Sequence, residues 1–177
     1  MLPAGSGVIG PMRGPDDRRE PPADADERTL LVGWLDFHRA TLARKCAGLS
    51  DEQLRSCPVP PSTLSMIGLV RHLTEIERLY IRHGFAGEQL SPLQYVTDEE
   101  PDGDFDLLDD VAGSLAAWHE HVTAARADVD AAPDLDARGA RSPETLRWVL
   151  AKVGQEYARH NGHADLLRQA LDGATGE

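Results

Sequence analysis

Residues 145–171 read TLRWVLAKVGQEYARHNGHADLLRQAL, and the spacing within this stretch decides the fold. Steps of three and four pick out Leu146, Val149, Val153, Glu156, His160, His163 and Leu167. That recurrence is the period of an amphipathic helix, not the two-residue alternation of a strand. The face is apolar at both ends and polar in the middle. At about 100° per residue, Glu156, His160 and His163 fall within about 60° of one another. Ser142-Pro143-Glu144 reads as the start of this helix, with serine as cap, proline at the first helical position and an acid near the positive dipole end. Gly173 reads as its stop.

The same period recurs upstream. In ADERTLLVGWLDFHRATLARKCAGLS, residues 25–50, the positions Leu31, Trp34, Leu35, His38, Leu42 and Cys46 define an inner face, with Asp26 as cap and Gly48 as stop. Ser50 and Gln53 form a capping box that opens a short helix, which must end before Pro58; Pro58, Pro60 and Pro61 then impose an extended crossing. A second long helix, SMIGLVRHLTEIERLYIRHGF, is opened by Ser62 or Ser65 and ended by Gly84 and Gly87. Its inner face carries Leu69, His72, Leu73, Ile76, Leu79 and Tyr80. A third covers about 108–131 with Leu108, Val111, Leu115, Trp118, Val122, Ala125 and Val129 on its seam; His119 and His121 lie off the seam and are expected to be exposed.

Between these helices, residues 88–108 carry Asp98, Glu99, Glu100, Asp102, Asp104 and Asp106. They are expected to form a solvated acidic crossover, because the ordered spacing of a calcium loop is missing. No stretch reads as a strand and no repeat is visible. The expected architecture is all-α, a four-helix bundle with long crossover connections.

Composition narrows the function. The 177 residues suit one domain, expected over 25–177 behind a disordered Gly/Pro-rich tail at 1–24, with Met12 an alternative start. No apolar run approaches the roughly 18–20 residues that span a bilayer, and the first residues lack the order of a signal peptide, so a cytoplasmic location is expected. The net charge of −12 leaves no basic footprint for nucleic acid and disfavours anionic membranes. A small-molecule substrate fits better, and a homodimer is compatible with the sequence. Cys46 and Cys57 are too few for a disulfide scaffold and are expected as buried thiols.

An acid among valines and leucines is costly to bury unless something pairs with it. A divalent cation would do so, since a carboxylate and an imidazole one turn apart can hold the same ion. His72, flanked by Leu69, Leu73 and Ile76, is the candidate ligand from the second long helix. Two other readings remain open. Glu156 and the imidazoles could satisfy each other without metal, or His160 and His163 could sit at a solvent edge softened by Asn161-Gly162. His38 either lines the pocket or packs in the core, and His83 sits near a helix end.

His72 within GLVRHLTEIE, followed downstream by Glu156 and RHNGHADLLR, resembles the DinB-like superfamily, and especially its mini-circle protein branch. LARKCAGLSDEQL, PPSTLSMIGLVRHL and TLRWVL add to the likeness, which covers about residues 27–174. The resemblance implies a four-helix bundle with a divalent metal held by a histidine of the second helix and two residues at i and i+4 of the last. These positions are His72, Glu156 and His160 here. An acid at the first of the last two resembles mycothiol-dependent maleylpyruvate isomerase. His163 falls where many relatives carry glutamine, as a fourth ligand or as support for the others. The implied cofactor is a divalent metal, zinc first, with nickel or manganese as alternatives, and mycothiol is the implied co-substrate. The implied function is a metal-dependent, thiol-using S-transferase or isomerase. The alternatives are a non-catalytic metal-binding stress or binding protein, and a metal-dependent hydrolase.

Overall fold

A computed structural model of the chain describes residues 18–90, 95–96, 103–105 and 110–175. Helix α1 spans Glu27–Cys46, α2 Asp51–Arg55, α3 Met66–Ile76, α4 Val111–Ala131 and α5 Leu146–Asp172. A π-helical stretch, Glu77–Phe85, continues α3 without a break, and a single 3₁₀ turn stands at Gly103–Phe105. The described residues contain no strand, only one isolated bridge between Arg138 and Thr145. The four-helix bundle is therefore built from α1, α3 with its π continuation, α4 and α5. Helix α1 lies along α5, and α3 lies along α4 and α5. Among the described residues no helix is long and apolar enough to cross a membrane.

Local chemistry sets most of the helix ends. Asp26 accepts from Thr29 N–H, Ser50 and Gln53 form the reciprocal capping box, and Ser65, not Ser62, caps α3 through Gly68 N–H. Helix α5 departs from expectation. Its cap is Thr145, which accepts from Trp148 N–H, and not Ser142. Residues 142–143 instead form a bend, after which the chain pairs back on 137–139: Gly139 N–H donates to Glu144 O, and Leu146 N–H to Ala137 O. Those bonds keep Pro143 out of the helix.

Two inner-face expectations are corrected. Trp34 is 42% exposed and Leu79 41% exposed. Trp34 sits at the edge of a stripe already filled by Leu35 and Leu42, and its ring meets Phe37 edge-on at 5.5 Å. Leu79 lies in the π-helical stretch, where the i→i+5 turn is wider and α-helical spacing no longer says which side chains face in. There Glu77, Arg78, Ile81 and Phe85 are buried instead.

Within the core, one polar network reaches all four long helices. Arg39 of α1 grips Glu77 through Nε (2.8 Å) and Nη2 (2.7 Å). Tyr157 of α5 donates to Glu77 Oε1 at 2.9 Å, and Trp118 of α4 donates to the Tyr157 hydroxyl at 2.8 Å. Burial opposes the Arg39 charge, but the Glu77 carboxylate holds the guanidinium well above its ordinary range. Burial and then Glu77 push the Tyr157 phenol up as well, so it stays a donor.

Of the tail expected over 1–24, residues 1–17 lie outside the described residues. Beyond them, Arg18 lies over the Phe37 ring at 5.1 Å, and Pro21 rests where a side chain on Gly33 would stand. Most of the acidic crossover, including Asp98, Glu99, Glu100, Asp102 and Asp106, also lies outside the described residues, as does Leu108.

Candidate metal centre

Helix α5 presents Glu156 and His160 one turn apart on its buried face, and α3 brings His72 opposite them. The His72 and His160 ring centroids are 4.5 Å apart. His160 Nε2 is 3.5 Å from Glu156 Oε2, and His72 Nε2 is 4.0 Å from the same oxygen. The donor atoms of the three residues lie within 4.8 Å of one another. Among the described residues, this is the one cluster of histidine, cysteine and acidic side chains arranged so that it could hold a metal ion.

Each member is tuned toward donating. Burial, reinforced by His72 and His163, lowers His160 to about 4, which leaves a neutral ring with a free lone pair at pH 7. Burial pushes Glu156 up, but the hydrogen bond and charge of Lys152 outweigh it, and the carboxyl lies below its ordinary value. Lys152 binds Glu156 Oε1, so Oε2 is the oxygen turned toward the two imidazoles. His72 Nε2 is buried and has no hydrogen-bond partner. That nitrogen faces the Glu156 carboxylate across 4.0 Å, too far for a hydrogen bond.

The fourth expected residue stands behind the cluster. His163 Nδ1 lies 3.3 Å from His160 Nδ1, on the far side of that ring from Glu156. It is not among the converging donors. Asp104 is the residue that sequence reasoning missed. Expected in the solvated crossover, it is only 4% exposed, and its Oδ2 sits 2.7 Å from His72 Nδ1. Nothing in a run of six acids marks which one turns inward; the neighbouring Phe105, one of three phenylalanines in the chain, was the available signal.

The remaining histidines fall elsewhere. His38 is half-buried, and burial lowers its pKa; its backbone carbonyl accepts from Asn161 of α5. His83 faces the Glu88 carbonyl at 3.1 Å. His121, expected to be exposed, is buried between Arg78 and Arg82, and His119 is half-buried against Trp118. Their positions beside the apolar seam face the arginines of the π-helical stretch and the flank of an indole rather than water. Cys46 is buried, and burial pushes its thiol up to about 12; Cys57, only half-buried, donates to the Thr63 carbonyl.

A family model described as mycothiol-S-transferase matches residues 30–173, a span holding nearly all of the bundle and every residue of the cluster. No curated protein matches the sequence significantly. On that match the chain belongs to the mycothiol-S-transferase family, a DinB-like family.

Proposed function

We propose that the chain is a metal-dependent S-transferase that delivers the sulfur of mycothiol to a small electrophile, with His72, Glu156 and His160 as the metal ligands. The observation that carries this reading is the convergence of three donors around a buried imidazole nitrogen that has no partner. Bonds of about 2.0–2.2 Å to a divalent ion set ligand atoms roughly 3–4 Å apart, and the two measured separations of 3.5 and 4.0 Å suit that requirement. Two imidazoles and one carboxylate suit zinc, nickel or manganese better than a soft ion that prefers sulfur. Three protein ligands leave room for a small molecule.

A divalent ion in this position supplies stabilisation of thiolate over thiol at neutral pH. The chain's own residues do the rest. Neutral His160 offers a lone pair without needing to lose a proton, and His72 turns Nε2 toward the Glu156 carboxylate. Glu156 brings one negative charge, and Lys152 fixes its carboxylate so that one oxygen faces the imidazoles. His163 supports His160 from behind and is not itself a ligand. The sulfur comes from the co-substrate, because Cys46 is a buried thiol of raised pKa and Cys57 is engaged with Thr63.

Elemental analysis of the purified protein should find close to one divalent ion per chain, and His72→Ala or His160→Ala should abolish it. The loaded protein should accelerate consumption of mycothiol with an electrophile such as a bimane above the uncatalysed rate, and Glu156→Gln should do so poorly. A loaded protein that shows no thermal shift with mycothiol and no acceleration would sink the transferase reading and leave a metal-binding protein.

A further inference from the structure

The geometry points to Asp104 as a positioning residue of the metal centre. Carried in by the crossover, its carboxylate accepts from His72 Nδ1–H and so fixes the tautomer in which Nε2 faces Glu156 and His160 as a bare lone pair. The inference takes its function from the metal reading above, but its geometry stands without it.

Three observations converge on this. First, a neutral imidazole has one N–H and one lone pair, so whichever nitrogen binds an acceptor leaves the other able to ligate. Asp104 Oδ2 lies 2.7 Å from Nδ1, the distance of a charge-assisted bond, with the Asp104 carboxylate buried and the His72 ring partly so. Nε2 is left buried with no partner, facing Glu156 Oε2 at 4.0 Å.

Second, the ring is held on its flat side too. Phe105, next to Asp104, stacks on His72 with centroids 5.4 Å apart and planes 22° from parallel. One short turn, Gly103–Phe105, therefore supplies both the in-plane hydrogen bond and the facial contact. Together they remove the freedom of the ring to rotate about its bond to Cβ.

Third, α3 is cut away to admit that turn. Gly68 stands one helical turn before His72 on the same face. A Cβ there would lie 3.1 Å from Phe105 Cδ1 and 3.3 Å from Phe105 Cα, closer than ordinary contact. The missing side chain, in the first turn of α3, lets the backbone of the crossover approach the helix.

A carboxylate behind a ligating histidine raises its basicity as well as orienting it, and loss of such a partner typically weakens metal binding 10–100-fold. The test reads both effects. In metal-free protein labelled with ¹⁵N-histidine, at a pH where the ring is neutral, His72 should carry its proton on Nδ1. Asp104→Ala should lose that preference, and Asp104→Asn, which keeps an acceptor, should retain it. Zinc affinity, measured by competition with a chromophoric chelator, should fall about 10–100-fold in Asp104→Ala and by less in Asp104→Asn. Gly68→Val, which leaves every polar group in place, should weaken zinc binding in the same direction by lifting Phe105. A His72 that keeps its Nδ1 proton in Asp104→Ala, or zinc affinity equal to wild type in both Asp104 variants, overturns the proposal. Should Asp104→Ala not fold, the isosteric Asp104→Asn decides, because unchanged zinc affinity there removes the role of the charge. If wild-type protein binds no zinc, the metal reading fails, while the tautomer of His72 still decides the place of Asp104.

Discussion

Glu156 and Tyr157 are neighbours on α5, yet they belong to two polar clusters of opposite character. Tyr157 joins Arg39, Glu77 and Trp118 in a network whose polar groups are matched: a bidentate guanidinium–carboxylate pair, a phenol on the carboxylate, and an indole on the phenol. Glu156 joins His72 and His160 in a cluster where a nitrogen is buried without a partner and three donors face one point. The closed network is the deeper of the two, the His72 side chain in the open one being 23% exposed, but depth does not decide their character. Satisfaction does. A closed network specifies how four helices meet, whereas an open one reserves its lone pairs for something else.

The sharpest way to break that comparison is to open the closed network. Arg39→Met strands the Glu77 carboxylate in the core, and removing one partner of a buried ion pair costs about 3–5 kcal/mol. Urea unfolding of the metal-free variant should show that loss, while the protein that remains folded should still bind metal. A loss below 1 kcal/mol would mean that the network is dispensable and the contrast is false.

A smaller effect should appear in the open cluster through pH. The unfolded chain takes a proton on His160 near 6.5, but the folded chain resists protonation down to about 4. The unfolded state thus binds more protons in that window, so the stability of metal-free protein should fall as pH drops from about 6.5 to about 4 and flatten below it. After allowance for solvent screening of a partly accessible site, roughly 2 kcal/mol is at stake. Denaturant melts at half-unit pH steps would check this, with His160→Gln reducing the slope while the share of the other buried histidines remains. A wild-type profile that is flat across the window would mean that His160 is not held neutral.

The smallest expected effect is at His163. It lies against His160 and outside the three converging donors, so on the proposed reading His163→Ala should weaken zinc binding by about tenfold or less, near the low end for a supporting group. Complete loss of zinc in His163→Ala, measured by the same chelator competition, would make it a ligand and redraw the boundary of the open cluster.

The open cluster was largely legible in the sequence, and the closed one was not. Glu156 and His160 interrupt an apolar stripe, and His72 sits among leucines, so a periodic reading finds them. Arg39 and Glu77 carry charges at positions that any apolar-face reading assigns to water, and they find each other across 38 residues of chain. The bundle itself and the caps Asp26, Ser50 and Ser65 followed from spacing and side-chain chemistry. Leu79 was misjudged because a π-helical turn changes the spacing while leaving composition untouched. Asp104 was hidden because the burial of one acid among several depends on the tertiary approach at Gly68, of which the neighbouring Phe105 is the only local trace.

The convergence of His72 with Glu156 and His160 also has a bearing on how the molecule is made. His72 lies in the first half of the chain and its partners in the final quarter, so the cluster depends on contacts distant in sequence. During synthesis, α1 to α4 can be complete while the site holds a single imidazole. Only docking of the last helix assembles the three donors. High-affinity uptake of an ion would then report a finished chain, and a nascent or truncated one would have little hold on metal.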